Sequence, residues 1–392
     1  MENICYVIWK FKSPNNFVNM GGSENQLLKW ANHLQKLDKK VTIIARKTDN
    51  DKDVEILSEN FEIIRINTTN IRYLSMLIFM ISLFFVFSRL HRKNKFDIIH
   101  VPLPDVYLFT LFFLKRIFKI PIVTTAAGDE LNPQRYKGLW YIDRLIVKNL
   151  MQKTDCIHTL NELTFSTGIR LNYNKEKLFL IPLGVEIPKK KRNYKKLTNT
   201  IVYIGAIRFY PEKQSREIKN LDFLIDSFFD LLIIKPELKL VLVGDGNYKN
   251  ILVDKVNQLK IQNNVQFVGY QTNIHKYHMI ADIITNPSIS EGMPNAVIES
   301  MASGVFVLCS DIHAHRYIIE NNVTGVLFDN TSKRDFIDKV LDFYKNLKSV
   351  VEITDKGRLY AIKNFSIEST VKQLLEMYEK VKLQYIDSLN KN

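Results

Sequence analysis

The sequence predicts an α/β protein made of two successive domains, each with a parallel sheet covered by helices. The chain has 392 residues, which is enough for two domains of about 180–200 residues each. Short apolar runs alternate with longer helical patterns through both halves, as in strand–helix–strand units. The composition, 46% hydrophobic and 24% charged, supplies apolar side chains for two cores and argues against disorder.

The first half opens with the apolar run ICYVIW, a Gly-Gly turn, the helical pattern ENQLLKWANHLQKL and the run VTIIAR. FEIIRI, a long apolar helix, FDIIHV, a second helix and IPIVTTAA continue this alternation. The N-terminus lacks a basic region followed by a long apolar core, so residues 4–9 are predicted as a strand and not as a signal peptide. We expect the first domain to occupy residues 1–188.

The second half repeats the alternation with TIVYIGA, LDFLIDSFFDLLI, LKLVLVGDG, VQFVGY, DIITNPS, VFVLCSD and GVLF. A basic stretch over residues 189–198 contains KKKRNYKK, which we interpret as a solvated linker, with a lipid-binding patch as the alternative. The second domain is then expected over residues 199–366. Residues 367–392 are expected to form a last helix.

The charge and the cysteines restrict the class of partner. The net charge is +14 and lies mostly in the first half of the chain. No nucleic-acid motif accompanies it, so we expect no nucleic-acid partner and favour an anionic membrane surface or an acidic acceptor. Cys5, Cys156 and Cys309 lie far apart, which fits a reducing cytoplasm and gives neither a zinc site nor a disulfide framework.

The most informative segment is SEGMPNAVIESMASG, which holds Glu291 and Glu299 eight residues apart. It follows ADIITNPS, a predicted strand whose carboxyl end is where ligands bind in an open parallel sheet. Pro294 and Asn295 suit the start of a helix that Gly304 would close. Such a helix start offers backbone N–H groups and the positive end of a dipole to a phosphate.

The two carboxylates complete the chemistry of a nucleotide-sugar site. Glu299 lies about one helical turn after Asn295, where it can accept hydrogen bonds from vicinal hydroxyls. Glu291 lies in the loop and would reach hydroxyls beyond the phosphates. The alternatives are a solvent-facing helix residue for Glu299 and a capping residue for Glu291. Carboxylates that bind hydroxyls at the two ends of a diphosphate predict a nucleotide-diphosphate sugar as ligand.

The segment SEGMPNAVIESMASG is similar to the E-x7-E motif of family-4 retaining glycosyltransferases, and VQFVGY, LVGDG and DIHAHRYIIENNVTGVLF also resemble that family. The resemblance implies a GT-B fold, in which two Rossmann-like domains with parallel sheets face a cleft. The second domain would bind the donor, the first the acceptor, and the last helix would cross back to the first domain. It implies retaining, metal-independent sugar transfer to an acceptor hydroxyl of a glycan or lipid-linked acceptor in cell-surface polysaccharide synthesis, with no cofactor besides the donor.

The resemblance assigns catalytic roles to Arg208, Lys219 and Glu291. The two cations would neutralise the donor diphosphate and stabilise the departing nucleotide, and Glu291 would bind the sugar. The family keeps its arginine and lysine one short loop apart, whereas FYPEKQSREI separates them here. Lys213 therefore competes with Lys219, which we favour because the pattern LDFLIDSF follows it. Ordinary surface charge is the alternative for both lysines.

The donor-binding residues implied by the resemblance lie at three turns and on the E-x7-E segment, with Glu299 on the ribose and Tyr270 near the base. The Gly-Gly turn looks like the family's GGxE turn, although most such pairs are simple turns. The predicted donor-binding residues are Gly21, Gly22, Gly244, Tyr270, Gly292, Met293, Pro294, Asn295, Ala296 and Glu299.

The acceptor side departs from the family. Many members carry a histidine in a stretch like H-G-x-D after the strand that corresponds to IPIVTT, and this chain has alanine there. Asp129 and Glu130 remain as acceptor-side candidates, or they cap the next helix. His100 ends a strand at the same edge and is a third candidate, although a lone histidine there is more often a core residue.

Three other functions remain open at this point. A sugar-nucleotide epimerase shares the GT-B fold and would release UDP without an acceptor. A non-catalytic nucleotide-sugar-binding partner would keep the donor pocket alone. The triplets in DNDKD, residues 49–53, could hold Mn²⁺ or Mg²⁺ in a metal-dependent GT-A enzyme, but they are more economically a solvated loop.

Two apolar segments raise the question of a membrane. YLSMLIFMISLFFVFSRLHRK holds about 14 consecutive apolar residues, fewer than the roughly 20 of a spanning helix, and VYLFTLFFLKRIFK is apolar and then basic. Both fit buried crossover helices. They also fit a peripheral helix that contacts an anionic bilayer, and we expect a cytoplasmic protein bound peripherally to the inner face of the plasma membrane.

Overall fold

The computed structural model describes residues 2–11, 22–48, 51–126, 139–209 and 218–390. The chain divides into two compact units. Unit 1 comprises Met1–Gly184 and Ile367–Asn392, and unit 2 comprises Val185–Ser366. The sequence placed the change of domain at residue 188 and a linker after it, whereas residues 185–198 belong to unit 2.

The strands of unit 1 are β1 (Asn3–Lys10), β2 (Lys40–Arg46), β3 (Val54–Ser58), β4 (Phe61–Ile66), β5 (Ile98–Val101), β6 (Ile122–Ala126), β7 (Cys156–Thr159) and β8 (Leu178–Leu180). The helices of its first segment are α1 (Gly22–Lys36), α2 (Arg72–Asn94), α3 (Leu108–Phe118), α4 (Leu139–Gln152) and α5 (Glu162–Arg170).

These strands form an eight-stranded sheet in the order β3-β4-β2-β1-β5-β6-β7-β8, parallel except for the antiparallel β3–β4 pair. The chain moves outward from β1 on one side and from β5 on the other, so the strand order reverses between these two strands. Because right-handed crossovers place helices on both faces, the central strands β5 and β6 are buried along their whole length.

The strands of unit 2 are β9 (Thr200–Ile204), β10 (Lys239–Val243), β11 (Val265–Gly269), β12 (Ile283–Asn286), β13 (Phe306–Ser310) and β14 (Val326–Phe328). Its helices are α6 (Leu221–Ile234), α7 (Lys249–Gln258), α8 (His275–Ile280), α9 (Asn295–Ala302), α10 (His313–Ile318), α11 (Lys333–Lys345) and α12 (Leu347–Phe365). A last helix, α13 (Ile367–Asn390), belongs to unit 1.

The sheet of unit 2 is fully parallel, in the order β11-β10-β9-β12-β13-β14. Its strand order reverses between β9 and β12. In open α/β sheets, ligands bind beyond the carboxyl ends of the strands at such a reversal. Arg208 follows β9 and Glu291 follows β12, so the topology places both residues at the predicted binding edge.

The basic stretch over 189–198 is not a solvated linker throughout. Arg192 and Tyr194 are buried in unit 2. The Arg192 guanidinium donates to Asp282 Oδ1 at 2.8 Å and to the carbonyl of Ala281 at 2.8 Å. The Tyr194 hydroxyl donates to the carbonyl of Asp282 at 3.1 Å and accepts from the backbone N–H of Phe306 at 2.7 Å. The interpretation as a solvated linker was wrong for these residues, because the composition of the segment does not show that Arg192 pairs with the distant buried carboxylate of Asp282.

Asp282 is fully buried and holds the start of unit 2 to its sheet. Besides Arg192, its carboxylate accepts from the backbone N–H groups of Thr198 at 3.0 Å and Asn199 at 2.7 Å. Removing the carboxylate leaves a buried guanidinium and two N–H groups without their acceptor.

We expect Asp282→Ala to cost about 3–5 kcal/mol, because it breaks a buried ion pair from one side. This corresponds to a fall on the order of 10 °C in the first thermal unfolding midpoint, measured by calorimetry. Asp342→Ala is the matched control, because the Asp342 side chain is 72% exposed and its one ion pair with a described residue is to the equally exposed Lys345. The control should lower the midpoint by less than about 2 °C. Equal shifts would contradict a structural role for Asp282.

Candidate functional site

The candidate site centres on one carboxylate oxygen of Glu291 in the loop after β12. Three donors converge on Oε1: Lys219 Nζ at 2.6 Å, Ser288 Oγ at 2.9 Å and Asn286 Nδ2 at 3.2 Å. The Glu291 side chain is mostly buried, and no described residue donates a hydrogen bond to its Oε2. Among the described residues, one oxygen alone therefore fixes the carboxylate.

The backbone fixes Lys219 opposite this carboxylate. The N–H of Ile289 donates to the carbonyl of Ile218 at 2.9 Å, which joins the Glu291 loop to the residue before Lys219. Asn220, the residue after Lys219, adopts the left-handed conformation with φ 55° and donates from Nδ2 to the carbonyl of Asn330 at 3.2 Å. The ion pair is therefore set by the fold on both sides.

The pair keeps Glu291 ionised. Burial alone would raise the pKa of the Glu291 carboxyl. The charge and hydrogen bond of Lys219, with the hydrogen bonds from Asn286 and Ser288, outweigh burial and hold this pKa below its usual value. At neutral pH the site thus presents a carboxylate, which can only accept hydrogen bonds, next to an ammonium group.

Glycines bring the ends of β9 and β10 into close contact beside Arg208. Gly244 has φ 147°, and a Cβ there would lie 1.8 Å from the carbonyl oxygen of Gly205. Gly246 has φ 157°, and a Cβ there would lie 2.6 Å from Cγ of Arg208. Arg208 itself is exposed at the carboxyl edge of β9. Gly244 is therefore required for packing, because a side chain there would collide with the loop after β9. This requirement is independent of any contact with a ligand.

The predicted helix after the glutamate loop forms as α9, with Pro294 at its N-cap position and Asn295 as its first residue. Gly292 is exposed, Met293 packs on the core of unit 2, and Ala296 lies in the first turn. The first turn of a helix leaves backbone N–H groups without intrahelical acceptors. Here the N–H groups of Asn295 and Val297 already donate to the carbonyls of Met293 and Pro294, each at 3.0 Å, so anion binding at this helix start stays a prediction.

Glu299 lines a pocket of about 160 Å³ between α8 and α9. His278 forms its floor, with Nδ1 2.9 Å from Ser303 Oγ and Nε2 3.3 Å from Ser300 Oγ. Burial, and then the charge of His275, lowers the pKa of His278 to about 4, so the floor is neutral at physiological pH. The other lining residues are Glu186, Pro188, Ile274, His275 and Ser303. Glu291 and Lys219 are not among them.

Tyr270 follows the edge strand β11 and its side chain is about half exposed. Gly269, the residue before it, accepts a hydrogen bond from the backbone N–H of Gly244 at 3.0 Å. The ring thus stands at the same carboxyl edge as the glycine loops. Its exposure is compatible with stacking on a base and argues against a purely packing role.

His100 is not an acceptor-side residue in this structure. It is fully buried on β5, with Nδ1 hydrogen-bonded to the Tyr378 hydroxyl of α13 and Nε2 2.7 Å from Thr125 Oγ1. The Tyr378 hydroxyl also lies 3.0 Å from the Tyr6 hydroxyl. Burial lowers the pKa of His100 well below its ordinary value. Nδ1 thus joins the sheet of unit 1 to α13, Nε2 joins β5 to β6, and neither nitrogen is exposed to an acceptor.

Four predicted residues lie outside the described residues: Gly21, Asp129, Glu130 and Lys213. Gly22 is the first residue of α1. The predictions for these positions therefore stay predictions. Of the two lysines considered for the diphosphate, the structure describes Lys219, which forms an ion pair with Glu291.

Sequence analysis missed Asn286, Ser288 and His315. Asn286 ends β12 and Ser288 lies two residues after it, in the segment DIITNPS, where polar residues follow an apolar run and could have been recognised. His315 is fully buried on α10, and its Nδ1 donates to the carbonyl of Ser310 at 2.8 Å. Burial lowers its pKa, and nearby Glu291 and Lys219 influence it in opposite directions. No spacing in the sequence indicated that α10 reaches this site.

The D-x-D triplets do not form a metal site with their described members. Asp53 accepts from Lys47 Nζ at 2.7 Å, and this contact lowers the pKa of the Asp53 carboxyl. Asp51 lies 3.6 Å from the buried guanidinium of Arg65. These two carboxylates are thus paired with cations, Asp49 lies outside the described residues, and the absence of a metal stays a prediction.

Family models match nearly the whole chain. The model described as Glycosyltransferase Family 4 matches residues 20–188, and the model described as Glycosyl transferases group 1 matches residues 188–360. The chain belongs to glycosyltransferase family 4. The predicted resemblance is therefore confirmed, on motifs that lie at the carboxyl edge described above.

Solved structures confirm the GT-B fold class. HepE of Anabaena, in complex with UDP and glucose, aligns with a TM-score of 0.74 over 97% of this chain and 100% of that chain, at 16% identity. At this identity the similarity shows the fold alone.

Three curated relatives are similar in sequence. An uncharacterized glycosyltransferase of Methanocaldococcus jannaschii is 31% identical over 239 residues, which span 56% of this chain and 57% of that protein. Alpha-monoglucosyldiacylglycerol synthase of Streptococcus pneumoniae is 25% identical over 73% of this chain and 67% of the relative. UDP-Gal:alpha-D-GlcNAc-diphosphoundecaprenol alpha-1,3-galactosyltransferase of Escherichia coli is 22% identical over 74% of this chain and 77% of the relative.

The charge of Glu291 gives a prediction with a definite sign. A carboxyl whose folded pKa is depressed contributes stability above its unfolded pKa of about 4.3 and loses that contribution as pH falls through the folded pKa. We therefore expect Glu291→Gln to lower the melting temperature at pH 7, and the difference from wild type to shrink as the pH falls below about 4. Thermal melts over a pH series measure this difference.

The matched control is the same substitution in a Lys219→Met background. Without the ammonium group, burial dominates and disfavours the carboxylate. Glu291→Gln should then raise the melting temperature at pH 7 instead of lowering it. The same loss in both backgrounds would show that Lys219 does not stabilise Glu291.

Proposed function

We propose that this protein is a retaining, metal-independent hexosyltransferase that moves a sugar from a nucleotide-diphosphate sugar to an acceptor hydroxyl. The observation that carries the proposal is the Lys219–Glu291 pair at the reversal of strand order in unit 2. It sets a cation for phosphate beside a carboxylate whose Oε2 accepts no hydrogen bond from a described residue. These are the two groups that a sugar diphosphate requires at neighbouring positions.

Each residue has a separate role in the proposed donor complex. Glu291 Oε2 accepts from sugar hydroxyls, and Glu299 accepts from the ribose hydroxyls at its pocket. Arg208 and Lys219 contact the diphosphate, whose charge rises as the glycosidic bond breaks. Cations placed where charge develops stabilise the transition state more than the ground state. The backbone N–H groups at the start of α9 add neutral donors.

The proposed transfer retains the anomeric configuration without a protein base. The bond from C1 to the phosphate oxygen breaks, a bond from C1 to the acceptor oxygen forms on the same face, and the acceptor proton goes to the departing phosphate. The burial of His100 supports this route, because it removes the one acceptor-side histidine proposed from the sequence.

We propose a glycan or lipid-linked acceptor in the synthesis of a cell-surface polysaccharide or glycolipid. Support comes from two relatives, one an alpha-monoglucosyldiacylglycerol synthase and the other an alpha-1,3-galactosyltransferase for alpha-D-GlcNAc-diphosphoundecaprenol. We also propose a peripheral location on the inner face of the plasma membrane, where such an acceptor would be met.

The test is transfer of labelled sugar from UDP-, GDP-, ADP- and CMP-sugars to lipid acceptors extracted from bacterial membranes. We expect one diphosphate donor to be used, transfer to persist in EDTA, and the product anomer, assigned by NMR, to match the donor. Arg208→Ala and Lys219→Ala should each lower kcat by about 10²–10³-fold. Lys213→Ala and the exposed Lys356→Ala should change kcat little.

Three results would contradict the proposal. An inverted anomer would exclude retention, and loss of transfer in EDTA would exclude metal independence. Release of nucleotide with no transfer, at a rate independent of acceptor, would favour an epimerase of the same fold. A larger loss for Lys213→Ala than for Lys219→Ala would reassign the lysine.

A further inference from the structure

The helix α2 has an apolar outer face, which is unusual for a surface helix. Its inner face packs in the core of unit 1 through every fourth residue: Ser75, Phe79, Leu83, Phe87 and His91. The opposite face is exposed and apolar over three turns. The exposed fraction is 53% for Leu77, 54% for Ile81 and 66% for Phe85. The interpretation as a buried crossover helix therefore holds for one face of α2, and the other face has the exposed apolar side chains that the alternative, a peripheral helix, requires.

The neighbouring helix α3 extends the same kind of surface. The two helices touch where Thr110 Oγ1 donates to the carbonyl of Met80 at 3.2 Å. Phe109, Phe113 and Ile117 follow at helical spacing on the exposed side of α3. We call the exposed apolar side chains of α2 and α3 the apolar face; they are Tyr73, Leu74, Leu77, Ile81, Phe85, Phe109, Phe113 and Ile117.

The charged residues of α2 and α3 have one sign. Neither α2 nor α3 contains an aspartate or glutamate. Both helices end in exposed cations, which make no ion pair with a described carboxylate. These cations are Arg89, Arg92, Lys93, Lys95, Arg116 and Lys119. An apolar stripe bordered by unpaired cations matches an anionic lipid surface, which offers acyl chains beneath phosphate head groups.

The contacts of the inner face of α2 show whether this helix can cross a membrane or can only lie on its surface. By length and apolar composition, the 22 residues from Tyr73 to Asn94 could span a bilayer. However, Phe79, Leu83 and Phe87 are fully buried in the core of unit 1, and spanning would pull them out of it. A helix that keeps these contacts can insert only its outer side chains.

We propose that the apolar face is a membrane-docking surface, on which α2 and α3 lie flat against an anionic lipid bilayer. Leu77, Ile81, Phe85 and Phe113 enter the boundary between head groups and acyl chains. The cations at the helix ends contact lipid phosphates. The inference gives the proposed peripheral location a defined surface on unit 1 and rests on that part of the proposed function.

The first experiment measures partition of the purified protein onto vesicles of phosphatidylcholine with and without phosphatidylglycerol, by flotation and without donor. We expect binding that needs phosphatidylglycerol and weakens with salt. Leu77→Ser with Ile81→Ser should lower the partition coefficient by on the order of ten-fold or more. Ile233→Ser with Leu359→Ser is the matched control, since these residues are 76% and 67% exposed on helices of unit 2.

The second experiment reverses charge. Lys93→Glu with Lys95→Glu should lower binding to phosphatidylglycerol vesicles by on the order of ten-fold or more. Lys348→Glu with Lys356→Glu, two exposed lysines of α12, makes the same change in net charge and should alter binding much less. Thermal melts establish that all four variants are folded.

Four results would overturn the docking surface. The first two are equal binding of the protein to both vesicle types and an equal loss of vesicle binding in a test variant and its control variant. The third is resistance of the membrane-bound protein to alkaline extraction. The fourth is a dimer that forms without lipid and that Leu77→Ser with Ile81→Ser dissociates. Nucleotide-sugar binding by the Leu77→Ser, Ile81→Ser variant should match wild type. Failure of docking is thus distinguishable from failure of the transferase assignment.

Discussion

The ion pair between Lys219 and Glu291 is the constraint on which the proposed chemistry depends. The backbone holds Lys219 through Ile218 and Asn220, and Asn286 and Ser288 hold the carboxylate from the other side. Because all three donors share Oε1, the carboxylate stays charged while Oε2 accepts from no described residue. A less buried or less paired carboxylate would lose either its orientation or its charge.

Much of the fold and part of the site could be predicted from sequence. The alternation of strands and helices predicted two α/β units, and the E-x7-E segment predicted the strand, loop and helix that carry Glu291. Three features lie beyond local pattern. The burial of Arg192 depends on a distant carboxylate, Asp282, and the burial of His100 depends on a helix that returns from the C-terminus. The exposure of the outer face of α2 depends on which other parts of the protein pack against it, and the apolar pattern of the helix does not show this.

The two units separate the proposed tasks. Unit 2 carries Arg208, Lys219, Glu291 and Glu299 at or near one carboxyl edge of its sheet, where strand topology concentrates polar loops and helix starts. Unit 1 carries the apolar face and most of the net positive charge. If the acceptor is lipid-linked, as we propose, the protein needs a donor site and a surface that binds the membrane, and the proposed roles assign one of these to each unit.

The most direct test of the account is calorimetric titration with the donor sugar nucleotide and with its nucleoside diphosphate alone, using wild type, Glu291→Gln and Lys219→Met. If Glu291 Oε2 holds the sugar and Lys219 the diphosphate, Glu291→Gln removes the advantage of the sugar nucleotide over the nucleoside diphosphate. Lys219→Met should weaken both ligands by similar factors. An undiminished preference for the sugar nucleotide in Glu291→Gln would contradict the central claim.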